Sequence, residues 1–321
     1  MFIKIDSIDK RILYELEQNA RMPDTQLAKL VGRSKESVRY RIKRLQEKNI
    51  ITRFSTFIDP TKFGYRTYKM YLKLANVPEK RAKIISELKK NPHMFWVGAA
   101  DGAWDLGLTF FAKNNTEFYR MQHDIVMKFG SLVRKKYTGV LVDVTLGSKD
   151  FLVDKQGGHV TLFGEAEQYT LSEMDKKLLQ FLFVDARASV VSLARQVGST
   201  VDIVRRRIKL FEEKNIIVQY KAWIDWKLLG YEFYKAFLFF KKLSVRDERR
   251  IMTYALQHRH IIHVPKQISP WDLEFEIMVT NYHDYNSIIN DIKEQFVDII
   301  LDVESAVMSE DHLFPAKKVL C

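Results

Sequence analysis

Between residues 34 and 48, within the stretch VGRSKESVRYRIKRLQEKNII (residues 31–51), six basic side chains stand against two acidic ones. At 100° per residue, Val38, Ile42 and Leu45 fall within about 60° of one another and predict a buried stripe. The opposite face centres on Glu36, Tyr40 and Lys43, flanked by Lys35, Ser37, Arg39 and Arg44, with Ser34 as the expected cap. Arginine and lysine donate to guanine O6 and N7 or to phosphate, and serine and tyrosine suit either, so this face has the chemistry to grip a nucleic acid. Arg41 lies at the margin of the apolar stripe, where a structural ion pair or a phosphate clamp is expected.

A near-copy, VGSTVDIVRRRIKLFEEKNII, starts at Val197. Thr200, Arg205, Arg206 and Lys209 keep a weaker basic patch, five basic groups against three acidic ones over residues 200–214. Val201, Ile203 and Leu210 replace Lys35, Ser37 and Arg44, so the second helix is expected either to pack partly on protein or to bind DNA more weakly.

The copies are offset by 166 residues, and the match extends from Ile8/Met174 to FIDPTKFGYRTYK against WIDWKLLGYEFYK. It returns one residue out of step at Trp104-Asp105-Leu106 against Trp271-Asp272-Leu273. A period this long marks a duplicated globular unit, since solenoid repeats run only about 20–50 residues. Each unit opens with helical spacing: Ile8, Ile12, Leu13 and Leu16, then Leu27 and Leu30, then Val38, Ile42 and Leu45. Asp24 or Thr25 is expected to cap the second helix, and Gly32 falls at a break that calls for positive φ. Three short helices with a glycine turn before a basic third one predict a helix-turn-helix. The remainder reads strand, helix, strand, strand, helix, strand, a ferredoxin-like βαββαβ order. The expected class is α+β, two tandem units: helix-turn-helix domains at 1–55 and 171–221, ferredoxin-like domains at 56–146 and 222–310, a linker at 147–170 and a tail at 311–321. Phe118, Tyr119, Tyr282 and Tyr285 are expected to pack against the sheets.

Net charge is +12. Residues 1–160 hold 30 Lys+Arg against 17 Asp+Glu, and the rest 22 against 23, so the basic excess lies in the first half and points to a polyanion partner. No apolar run approaches the ~20 residues of a membrane helix, and the start lacks the apolar core of a signal peptide, so a cytoplasmic protein is expected. The single cysteine, Cys321, leaves no partner for a disulfide. No cofactor, metal site or catalytic group is expected.

Each unit resembles the Lrp/AsnC, or feast/famine, family of transcriptional regulators. The resemblance is carried by IDKRILYELEQNAR, LAKLVGRSKESVRYRIKRLQEKNIITRFSTFIDPTKFG and GAADGAWDLGLTF. It implies double-stranded DNA as partner, an effector and oligomerisation domain after the helix-turn-helix, pairing through the sheets, higher assembly, and response to an amino acid. The tandem implies an internal pseudo-dimer. The family's effector region falls on Gly98, Asp101, Gly102, Trp104 and Asp105. The second unit, VPKQISPWDLEF, has no glycine there.

Two other readings stand beside this one. Some proteins similar to the family are decarboxylases of sirohaem derivatives, which need imidazole and guanidinium groups. QHRHIIH supplies His258, Arg259, His260 and His263, and the first unit offers His93. The third reading is a basic architectural protein with little sequence preference.

Overall fold

The computed structural model describes residues 2–75, 78–153, 155–164, 167–314 and 319. Cys321 lies outside them. The first unit runs α1 (Ser7–Gln18), α2 (Asp24–Val31), α3 (Lys35–Glu47), β1 (Ile51–Ile58), β2 (Arg66–Leu74), α4 (Pro78–Leu88), β3 (Met94–Gly102), β4 (Leu106–Ala112), α5 (Asn115–Phe129), β5 (Val133–Gly147) and a short β6 (His159–Leu162). The second repeats the order as α6 (Glu173–Val184), α7 (Val190–Val197), α8 (Val201–Glu213), β7 (Ile217–Ile224), β8 (Glu232–Phe240), α9 (Val245–Gln257), β9 (Ile261–Ile268), β10 (Leu273–Val279), α10 (Tyr282–Gln295) and β11 (Ile300–Leu313).

The α+β class and the tandem of two units are as the sequence predicts. Gly32 and Gly198 end α2 and α7 in the left-handed region, at φ 68° and 67°, the conformation the tight turn demands. The second helix is not capped as expected. Pro23 stands at its N-cap, and the Asp24 carboxylate is instead taken by two arginines.

Each unit's sheet has strand order β5-β2-β4-β3 or β11-β8-β10-β9. Two such sheets each present two edges, and each edge finds the sister sheet. β3 pairs with β11 and β9 with β5, closing an eight-stranded antiparallel ring. The helix-turn-helix domains join through a second pairing, β1 with β7 from Ile51↔Ile224 to Ile58↔Ile217. The two units therefore form one internal pseudo-dimer, with α1 packed on β7 and α6 on β1.

Two expected boundaries shift because strands demand partners. The segment expected as a linker contributes β6 to β5, and Phe151 packs among Trp226, Tyr231 and His260 with ring centroids 4.7–5.9 Å away. The expected tail begins inside β11, whose residues 310–313 pair with Ala99, Gly98, Val97 and Trp96. Phe118 and Tyr285 pack as expected, but Tyr119 and Tyr282 are over 60% exposed, because their positions on α5 and α10 turn away from the sheet.

Between the two sheets lies a polar core. Lys235 donates to Glu274 at 2.7 Å and also pairs with Glu276, while Lys69, Tyr71 and Gln267 reach Glu274 at 3.4, 2.9 and 2.7 Å. His263 Nδ1 donates to Glu276 at 2.6 Å, and Lys149 donates to His263 Nε2 at 3.4 Å. With its Nε2 acting as acceptor, His263 is held in the neutral form. Beneath it Lys221 pairs with Glu17 at 3.1 Å, so charge continues from the sheet ring to α1. Removing one member of such a chain strands its buried partner, which costs more than the pair itself contributes.

Trp96 lies against this core, with Lys235 5.0 Å from its ring. A Cβ added at Gly98 would come within 2.3 Å of the Trp96 ring, and one at Gly107 within 2.8 Å. The two glycines make the slot for the indole.

Gly98→Ala should accordingly destabilise the protein by about 1–3 kcal/mol, read as a lowered urea midpoint with unchanged slope. Burial, with Lys149 adjacent, pulls the His263 imidazole down to about 4, and burial beside His260 does the same to His258. Between pH 6.5 and 4 the unfolded chain takes up protons that the native protein refuses, so stability falls as pH falls, by about 1.4 kcal/mol per pH unit for each group. His263→Gln should reduce that slope by about half between pH 6.5 and 4.5 in urea titrations at stepped pH.

Candidate nucleic-acid interface

In α3, Val38, Ile42 and Leu45 are buried against α1 and α2, which leaves the opposite face to solvent. The Ser34 hydroxyl accepts the Ser37 N–H at 3.2 Å and fixes the start of the helix. Glu36, Arg39, Tyr40 and Lys43 are exposed, and Lys35 and Ser37 half-exposed, on one continuous surface. Tyr40 is 66% exposed, so the chain leaves a large ring uncovered in the middle of that face. Lys43 pairs loosely with Glu47 at 3.7 Å, a surface contact worth little.

Arg41 and Arg44 are not part of that open surface. Arg41 reaches Asp6 and Asp9, each at 2.7 Å, and Arg44 also pairs with Asp9, a carboxylate only 1% exposed. For Arg41 this is the structural ion pair that its marginal position suggested. For Arg44 it corrects the expectation, since the buried charge on Asp9 draws the long side chain back over the helix. The second unit repeats the lock with Arg207 on Asp175, which burial would otherwise strand. Asp9 and Asp175 escaped the sequence reading, although the 166-residue offset pairs them as it pairs Arg41 with Arg207.

In α8, Thr200 caps the helix by accepting the Ile203 N–H at 3.3 Å, and Val204, Ile208 and Phe211 form the buried stripe. Its cations are largely answered locally: Arg205 pairs with Asp202 at 2.8 Å, Arg206 donates to the Asp202 carbonyl at 3.4 Å, and Lys209 pairs with Glu213 at 3.5 Å. Ile203 is 38% exposed and Leu210 half-buried, so both are only partly covered. The expectation for this helix is partial packing on protein or weaker DNA binding; of its apolar replacements Val201 packs against the shared core, while Ile203 stays open to solvent.

The interface between the two helix-turn-helix domains fixes how the two helices are presented. Arg21 donates to the carbonyls of Ala186 and Ala188 at 2.6 and 3.0 Å, and Arg187, its counterpart, donates to Ala20 at 2.8 Å and pairs with Asp24. Asp24 also holds Arg39 at 2.7 Å, so a reading-face arginine is positioned through a group clamped by the other domain. One hydrophobic core runs through both domains, from Ile12, Leu16 and Leu27 to Leu178, Leu182 and Phe211.

Of the five positions expected to bind an effector, Gly98, Gly102 and Trp104 serve the sheet-to-sheet junction, and the Asp101 and Asp105 side chains are ion-paired within the first unit. Gly98 lies under Trp96, and Gly102, at φ 122°, sits against the Ser305 carbonyl of β11. Trp104 is buried beside Tyr71, Tyr137 and Trp271, while Asp105 accepts the Leu74 N–H at 2.6 Å and pairs with Lys73 at 3.1 Å. Asp101 is exposed and pairs with Arg81 at 3.2 Å. The close approach that glycine permits here admits a tryptophan and a sister strand. The histidines converge only in part: the His258 and His260 rings lie 6.0 Å apart, but His260 Nδ1 meets the Met278 carbonyl at 2.8 Å and His263 is engaged by Glu276. Among the described residues no cluster of His, Cys, Asp and Glu has the form of a metal site, and no helix is long and apolar enough to cross a membrane.

Comparison with known proteins agrees with this arrangement. The AsnC-type helix-turn-helix domain matches twice, at residues 5–46 and 171–212. An HTH-type transcriptional regulator of Pyrococcus abyssi is 33% identical over 123 residues, which span 37% of this chain and 81% of that protein. One of Pyrococcus horikoshii is 26% identical over 142 residues, 44% of this chain and 89% of its own length. In overall architecture the chain is similar to the crystal structure of the siroheme decarboxylase NirDL, with a TM-score of 0.66 over 98% of this chain and 96% of that one, at 12% identity. At that identity the likeness is one of fold. Both units carry the helix-turn-helix, and the chain belongs to the Lrp/AsnC family of transcriptional regulators.

Proposed function

We propose that this regulator binds duplex DNA sequence-specifically, with α3 as the principal reader in the major groove and α8 as a weaker second contact. The observation that carries the reading is the exposed, basic face of α3, held in place by Arg41 and Asp9 and left open around Tyr40. In a helix-turn-helix the N-terminal part of the third helix meets base edges, so Lys35, Ser37, Arg39, Tyr40 and Lys43 are the readers, with Ser34 and Glu36 at the rim. Phosphate contacts from lysine and arginine supply much of the affinity and make it fall steeply with salt. Because the Arg21 and Arg187 clamps present α3 and α8 as one body, a single chain offers two unlike readers. Its operator then has two unlike half-sites about one helical turn apart.

The reading does not extend to an amino-acid effector: of its expected positions Gly98, Gly102 and Trp104 are engaged at the sheet junction, and Asp101 and Asp105 pair with Arg81 and Lys73. Nor does it extend to decarboxylation. A shared fold does not transfer an activity, and two of the imidazoles in the QHRHIIH stretch, His260 and His263, are engaged by Met278 and Glu276.

Selection of binding sites from random duplexes, followed by titration at stepped salt, tests the proposal. The selected site should bind at least about 1000-fold more tightly than random sequence; a ratio near one would favour the architectural reading. Arg39→Ala with Lys43→Ala should weaken binding by about 2–4 kcal/mol in total and reduce the salt slope. Arg205→Ala with Lys209→Ala should cost under half as much, and equal losses would overturn the primacy of α3.

A further inference from the structure

The sheet ring closes with a stagger that leaves two ledges. β3 pairs with β11 only from Ala306 onward, and the Ala103 N–H still donates to the Ser305 carbonyl, so residues 300–304 have β8 on one side and, among the described residues, no strand on the other. β9 pairs with β5 only from Val140 onward, and Gly139 is buried against the Ile268 carbonyl, so residues 133–138 have β2 on one side and, among the described residues, no strand on the other. The registers make these ledges equivalent within the pseudo-dimer: Lys73↔Lys135 and Tyr71↔Tyr137 in one unit correspond to Phe239↔Asp302 and Phe237↔Glu304 in the other.

Equivalent in backbone, the ledges are opposite in charge. The β5 ledge carries Arg134, Lys135 and Lys136, and the β11 ledge carries Asp302 and Glu304, all exposed. None of the five has an ion-pair partner among the described residues. The surrounding domains follow the same sign. Residues 56–146 hold 15 Lys+Arg against 8 Asp+Glu, a net of +7, and residues 222–310 hold 10 against 14, a net of −4.

We propose that the two ledges dock on each other between copies of this chain, the β5 ledge of one adding antiparallel to the β11 ledge of the next. An open strand edge is a template for another strand, and its side chains decide which strand it accepts. Facing strands gain from opposite charges and lose from like ones. β5 on β5 and β11 on β11 are therefore both repelled, and only the head-to-tail contact between unlike ledges is favoured. Such a contact is heterologous and propagates until a ring closes. Charge on an edge strand can also serve simply to keep edges apart. Here, though, the two edges of one molecule carry complementary signs, which attracts copies to one another. The domain charges extend that attraction beyond contact distance.

The test uses the full chain without DNA, so its outcome is independent of the DNA-binding proposal. Sedimentation at low salt should show the wild type assembling beyond the 37.9 kDa monomer, and 0.5 M salt should weaken assembly at least tenfold. Lys135→Glu with Lys136→Glu makes both ledges acidic, and Asp302→Lys with Glu304→Lys makes both basic. Each variant alone should self-associate at least tenfold more weakly than the wild type, and an equimolar mixture should assemble again. The milder Lys135→Gln with Lys136→Gln should fall between, with circular dichroism confirming the fold of all three. Wild type that stays monomeric at low salt, variants that assemble as it does, or a folded mixture that fails to recover would each overturn the proposal.

Discussion

Everything in this molecule depends on strand edges being shared between its two halves. A four-stranded sheet with helices on one face has one apolar face and two open edges still to cover, and neither unit can cover them alone. The pairings β3–β11 and β9–β5 close the edges, and the closed ring brings the two open faces together around Trp96, Trp104, Tyr71 and Trp271. The β1–β7 pairing applies the same solution one layer down, where it sets the helix-turn-helix domains side by side.

Within that frame the two halves have diverged in charge while keeping their geometry. The lock of Arg41 on Asp9 recurs as Arg207 on Asp175, and the clamp by Arg21 recurs in Arg187. The exposed faces of α3 and α8, the glycine turn and the strand ledges did not stay alike. Positions that hold the fold are tied to buried partners and change only with them, whereas exposed positions are free to specialise. Fusion into one chain removes the requirement that a surface fit its own copy, which a homodimer imposes at every position near its axis.

Much of this was legible in the sequence because periodicity and turn chemistry are local. The stripe Val38, Ile42, Leu45 and the left-handed Gly32 follow from residues close in the chain. What was not legible depends on who meets whom. Gly98 reads as room for a ligand until the ring closure shows that Trp96, two residues earlier on the same strand, fills it. Arg44 reads as a DNA contact until Asp9, 35 residues away, claims it. The segment around Phe151 reads as a linker because its partners Trp226 and Tyr231 lie in the other unit. Long-range pairing is what single-sequence patterns do not encode.

The stagger of β11 across the ring also bears on synthesis. Its far half pairs with β3, and the Trp96 indole donates to Asp311 across 215 residues. As the chain leaves the ribosome, the first helix-turn-helix has its local contacts early, but the first sheet keeps a bare edge and an uncovered aromatic face until the last strand emerges. Such non-local closure is slow and leaves nascent edges open to wrong partners. The first unit is thus the earlier to be made, and among the last to be finished.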